Sequence, residues 1–152
     1  MHKYVREAIP QPAAGADISN FPSTSAEYRL LTVRAKLTTS ATAASRYPHF
    51  RFVTPSGDVF FETVPSAAQI ASKTVFYMLT SSGGAPNEGS AVNDDVSGLS
   101  LPDFWIGEGC KFETSTTAID PGDQWSDIYA KYLIRDELGM IALIEQALAQ
   151  HG

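Results

Sequence analysis

The sequence has a single cysteine, Cys110, so no disulfide can form within the chain. Its stability must come from core packing or from partner subunits, and such a chain is compatible with folding in a reducing cytoplasm. Histidine is scarce as well: His2 and His151 lie at the ends and His49 between them. No two of them stand at metal-ligand spacing, and one thiol makes no zinc site. Basic residues number 11 against 17 acidic ones, for a formal net charge of −6 and a pI near 4.9. Affinity for phosphate backbones comes from clustered Lys and Arg, and along this chain they look scattered, so no nucleic-acid partner is expected. No run approaches the ~18 apolar residues of a membrane span, and no charged segment followed by an apolar run marks a secretory signal. A Gly-rich phosphate loop, a nucleophile elbow and an HExxH helix are all missing. Serine and threonine are plentiful, but a serine nucleophile needs a positioned base. His49 is the only interior histidine, and it falls on the polar side of its segment beside Arg51, where a surface role is expected. The expectation is a non-enzymatic chain with no metal and no cofactor.

What is present is strand and turn. At 152 residues the chain has the length of one domain with one core. Residues 27–63 read as three successive strands. In the first, Leu31, Val33, Ala35 and Leu37 recur at a spacing of two, with Thr32, Arg34 and Lys36 between them. That alternation places the aliphatic set on one sheet face and the charged set in water. Phe50 and Phe52 alternate in the same way with His49 and Arg51, and Pro55-Ser56-Gly57-Asp58 is a turn in which Gly57 supplies the positive φ. Further strands are predicted at 74–80, 99–105, 111–118 and 124–135, with a long loop at 81–97. In the last strand Ile128, Ala130, Tyr132 and Ile134 share a face. Seven or so short strands with turn signals and no alternating helices mean an antiparallel β-sandwich or jelly roll.

This sandwich is assigned to residues 27–135. Residues 1–26 carry Pro10, Pro12 and Pro22 with few apolar anchors, and read as an extended arm outside the core. Residues 136–152 change to helical spacing and read as a short apolar helix and tail, with Asp136 as N-cap. Both flanks suit docking on neighbouring subunits. The expected partner-binding residues are Tyr4, Val5, Ile9, Ile18 and Phe21 in the arm and Ile141, Ile144 and Leu148 in the helix. Removing residues 1–26 is expected to leave a folded, soluble sandwich that has lost its partner.

Three constellations invite a chemical reading. Asn93, Asp94 and Asp95 with Glu88, or Asp120 with Asp123, offer oxygen ligands for Ca²⁺, although a solvated acidic loop is the expectation. Glu62 and Glu113 resemble a glycosidase carboxylate pair, although two solvated glutamates are expected. Trp105 and Trp125 are candidate sugar platforms, against the expectation that both pack at strand ends, Trp105 being flanked by Phe104 and Ile106.

The run LTVRAKLTTSATAASRYPHFRFVTPSGDVFFET, followed much later by PGDQWSDIYAKYLI, resembles small structural proteins of tailed bacteriophage virions. The matching features are the Leu-Thr-Thr-Ser-Ala-Thr turn at 37–42, the Arg-containing strand at 46–54, the Gly57-Asp58 turn, and the Gly-Asp-Gln-Trp-Ser turn at 122–126. The resemblance covers about residues 27–134. It implies a non-enzymatic virion component, assembled in the cytoplasm of an infected bacterium. The partners it implies are the major capsid protein or other virion proteins and further copies of the chain. A capsid decoration or cement protein is the first expectation; a neck or tail component, and a carbohydrate-binding module using Trp105 and Trp125, are the alternatives.

Overall fold

Period-two alternation builds most of this chain, and eight strands occur among the described residues of the computed structural model, 2–81, 95–135 and 147–149. They are β1 (His2–Ile9), β2 (Tyr28–Thr38), β3 (Tyr47–Val53), β4 (Val59–Thr63), β5 (Thr74–Thr80), β6 (Asp95–Ser100), β7 (Lys111–Thr117) and β8 (Gln124–Arg135). Five form one sheet in the order β1-β8-β2-β5-β6, and three form a second in the order β4-β3-β7. Their apolar faces meet in a sandwich-like arrangement. Phe50 of β3 lies at the centre, with ring centroids 5.9 Å from Trp125 and 5.4 Å from Tyr77 in the large sheet and 6.2 Å from Phe112 in its own. The turn at 54–58 closes as expected, with Gly57 at φ +93°.

Two β-bulges set which residues reach that core. In β2 the buried series is Tyr28, Leu30, Val33, Ala35 and Leu37, so Leu31, expected inside, is only half-buried. The pairing with β8 shifts between Leu30 and Thr32, and this extra residue reverses the phase of the strand. A second shift lies opposite Arg34 and Lys36, where β8 carries Asp127 at φ +49°. It brings Trp125 and Ile128, three positions apart, onto the same buried face.

The largest correction concerns residues 1–26. From residue 2 onward they are part of the fold and not an arm laid outside it. β1 pairs antiparallel with β8 along its whole length, from His2 opposite Arg135 to Ile9 opposite Ile128. Val5 and Ile9 pack against the core, and Ile18 and Phe21 are buried in it, so these four expected partner contacts are internal. Residues 18–21 run along the open edge of β7, with Thr114 N donating to Ile18 O (3.0 Å) and Phe112 N to Phe21 O (2.6 Å). Asp17 fastens this segment: its carboxylate accepts from Thr114 Oγ1, from Thr116 Oγ1 and N, and from the indole Nε1 of Trp125. Glu7 of β1 does the same for the end of the segment, accepting from Ser23 Oγ and from the Tyr132 hydroxyl at 2.7 Å. Burial, then this bond to Glu7, pushes the Tyr132 hydroxyl up to about 12. The prolines misled because they break the strand pattern without removing the segment from the core.

Other boundaries also move. The strand expected at 99–105 is β6, and it pairs parallel to β5 where all other strand pairs among the described residues are antiparallel. Leu101 N still donates to Thr80 O, but Pro102 has no N–H and the ladder ends there. Residues 95–97, expected in a loop, belong to this strand, and the rest of that loop apart from Ser81 lies outside the described residues. So do Ile141 and Ile144; of the expected terminal helix only 147–149 are described, helical, with Leu148 68 % exposed.

One end of the sandwich is closed by a buried ion pair. Arg46 and Asp123 have no exposed side-chain surface, and Arg46 Nε lies 2.9 Å from Asp123 Oδ2. Asp123 also accepts from Arg46 Nη2, Ser40 N and Asp120 N, so all its lone pairs are used. Burial pushes this carboxyl up, but the bonds from Arg46, Asp120 and Ser40 outweigh it and hold the group below the usual range.

Deleting residues 1–26 removes β1, Asp17, Ile18 and Phe21 together, and near-ultraviolet circular dichroism of the shortened chain is expected to show lost tertiary packing; a native-like spectrum would contradict the assignment. Asp123 has a depressed folded-state pKa, so its stabilisation is full above the unfolded value of about 3.9 and is lost as pH falls through the folded value. Thermal melts should therefore hold steady from neutrality to about pH 5 and fall steeply below about pH 4. Asp123→Asn, by leaving Arg46 buried and uncompensated, should lose about 3–5 kcal/mol at pH 7 and flatten that acid limb.

Candidate interaction surface

The residues singled out for chemistry are committed to structural bonds. Trp125 is fully buried (0 % exposed) with its indole N–H on Asp17, so it is no sugar platform. Trp105 is half-buried, and the Arg135 guanidinium covers its ring at 4.4 Å. Its neighbours divide, Ile106 inside and Phe104 exposed. Glu62 and Glu113 lie on β4 and β7, both in register with Arg51 of β3 between them. Arg51 Nε is 2.7 Å from Glu113, and His49 Nδ1 is 2.9 Å from Glu62, so each carboxylate meets a cation or an imidazole. Asp123 is spent on Arg46, and Asp120 accepts from Ser40 Oγ and Gly122 N, which hold its carboxyl below the usual range. Glu88, Asn93 and Asp94 lie outside the described residues.

The outward face of the five-stranded sheet is different. Register brings Arg6, Lys131, Thr32 and Thr80 into one row across β1, β8, β2 and β5, and Ala8, Tyr129, Arg34 and Met78 into the next. Lys36 and Phe76 face each other in the third row. The Arg34 guanidinium lies 4.8 Å from the Phe76 ring, and Lys131 Nζ lies 5.3 Å from the ring of Tyr4. Tyr4 and Tyr129 are 65 % and 53 % exposed. Small side chains at Ala8 and Thr32 leave a shallow, mainly apolar groove among Arg6, Arg34, Tyr129 and Lys131.

The electrostatics of this face set it apart. Arg29, Lys36, Arg46, Arg51 and Arg135 are each ion-paired, with Asp103, Asp127, Asp123, Glu113 and Glu27. Lys111 donates to the carbonyls of Pro22 and Thr24. Arg6, Arg34 and Lys131 enter no ion pair among the described residues, and all three stand on this face. Strand pairing thus gathers four basic residues that look scattered along the chain, Arg6, Arg34, Lys36 and Lys131. Of the expected partner-binding residues in the described part, Tyr4 belongs to this face and Leu148 is exposed elsewhere in the chain. The signal was present at alternate positions 34/36 and 129/131 of two strands, but it becomes a surface only once those strands are neighbours.

Comparison with protein-family models, with curated proteins and with solved structures finds no match to this chain.

The two tryptophans give a direct test of what is core and what is surface. Trp125→Ala should cost about 3–5 kcal/mol, or roughly 6–20 °C in melting temperature for a domain of this size. Trp105→Ala should cost less, because its ring is only half-buried. Differential scanning calorimetry that ranks the two variants the other way would contradict this placement.

Proposed function

We propose that the chain is a non-enzymatic structural subunit of a tailed-bacteriophage virion, in the first place a capsid decoration or cement protein, that works through subunit contacts. The observation that carries the reading is the outward face of the five-stranded sheet, a flat surface of unpaired cations and exposed tyrosines. Small-molecule sites are concave and enclose their ligand. A broad, shallow face rimmed by charge suits a protein surface instead. The resemblance of residues 37–58 and 122–126 to virion proteins supports the same reading. So does the use of Asp123, Glu113 and Trp125 as structural groups, which leaves no catalytic set among the sequence candidates.

The body of this subunit is, in our reading, a jelly roll. The chain alternates between layers: β1 lies in the large sheet, residues 18–21 on the edge of the small one, β2 in the large, β3 and β4 in the small, β5 in the large, β7 in the small and β8 in the large. This alternation, with first and last strands adjacent, supports a Greek-key reading, although β5 and β6 pair parallel.

Mass spectrometry of purified particles tests the proposal. The chain should be present in the virion, with copies in the hundreds for a capsid position and far fewer for a neck or tail ring. Abundance in the lysate with absence from particles would overturn it.

A further inference from the structure

We infer that the basic face of the five-stranded sheet receives a second copy of this chain, and that the copy inserts the edge strand β4 with the acidic turn before it. The inference rests on the reading of the chain as an assembly subunit and names the partner of that surface.

Charge is the first argument. Arg6, Arg34, Lys36 and Lys131 against Asp127 give the face +3, in a chain that carries −6 as a whole. Two such faces repel each other, so the contact is not a symmetric face-to-face dimer. The same face attracts an acidic part of another copy.

The second argument picks the part. Among the described residues, β4 is an outer strand of the small sheet, paired on one side only, with β3. Its first residues, Val59 and Phe60, are large exposed apolar side chains. Asp58 immediately precedes them. The turn at 107–109 packs on the same corner, since a Cβ added to Gly109 would come 3.0 Å from Pro55, and it carries Glu108. Neither Asp58 nor Glu108 enters an ion pair among the described residues. This corner therefore offers two unpaired carboxylates beside two exposed apolar groups. The basic face offers unpaired cations beside Tyr129 and Met78. The pieces are complementary in both charge and polarity, and they sit on different sheets of one molecule, so only another copy can bring them together. A face-to-edge contact is heterologous, and its repetition makes a closed ring or a filament. It also covers an open strand edge that would otherwise be an aggregation site.

The test is sedimentation and light scattering on the full chain, with charge-reversed variants. The wild type should have a mass that is a multiple of the 16.4 kDa subunit. It should fall toward monomer between about 0.1 and 1 M salt, as the screening length shrinks from ~10 to ~3 Å. R34E/K131E and D58K/E108K should each weaken assembly by ~10-fold or more, with melting temperatures within ~3 °C of wild type because Arg34, Asp58 and Glu108 are exposed and Lys131 is only half-buried. Mixing the two variants should restore assembly, since the reversed face of one then meets the reversed edge of the other. A wild type that is monomeric at every concentration and salt overturns the inference. So do variants that assemble like wild type, or a mixture that stays dissociated. A monomeric chain that is nevertheless abundant in purified particles overturns this contact alone and leaves the virion reading standing. If in that case R34E/K131E no longer binds particles, the occupant of the face is a different acidic protein.

Discussion

The buried ion pair between Arg46 and Asp123 is the constraint on which the rest of the sandwich depends. Desolvating two charges costs several kcal/mol each, and the cost is met only when geometry and supplementary bonds are both good. Here they are. Arg46 spends its remaining donors on Ala44 O and Ser40 Oγ, and its backbone pairs with Gln69 in both directions. Gln69 in turn donates to Leu37 O and Lys73 O and accepts from the Tyr77 hydroxyl. Three connections are tied together at one end: β2 to β3, β4 to β5, and β7 to β8. Because those connections pass from sheet to sheet, the network sets how the layers are stacked.

The N-terminal segment is fastened to the same end. Gly15, at φ +80°, donates to Asp123 O at 2.7 Å and approaches Pro121 so closely that a Cβ would lie 2.9 Å from its Cα. From there Asp17 bridges β7 and the Trp125 indole, and Phe21 packs edge-on against Phe112 at 5.4 Å. The segment thereby covers the open edge of β7, while β1 covers the open edge of β8. With polar groups consumed internally at this end, charges that enter no ion pair among the described residues include Arg6, Arg34 and Lys131 on the outward face of the large sheet and Asp58 and Glu108 at the corner beside β4. Function, in the reading proposed above, is carried by what the fold leaves unpaired.

Much of this is legible in the sequence. β4, β5 and β8 stand where alternation and turn chemistry placed them, and Phe50 and Phe52 point inward as their spacing required. Trp125 is buried after its Gly-Asp turn, as its position predicted. The failures have identifiable causes. Leu31 was assigned to the core because a bulge has no mark in a single strand's sequence; it is a property of two strands that differ by one residue. Ile18 and Phe21 were assigned to a partner because a short edge segment between prolines gives no periodic signal, although it buries as deeply as a strand.

The sequence by itself determined the local terms: a β protein with turns at glycines and prolines, no disulfide, and a net negative charge. These depend on neighbours along the chain, where side-chain period and backbone preference act directly. Only the tertiary structure decided that residues 2–26 close the sandwich, that Asp123 is a buried counter-ion, and that Arg6, Arg34 and Lys131 share one face. Those outcomes depend on which strands pair and in what register, and pairing is set by contacts between residues up to more than a hundred positions apart. Charge summed along a chain says nothing of where the charge lies, and at an assembly surface its location is what matters.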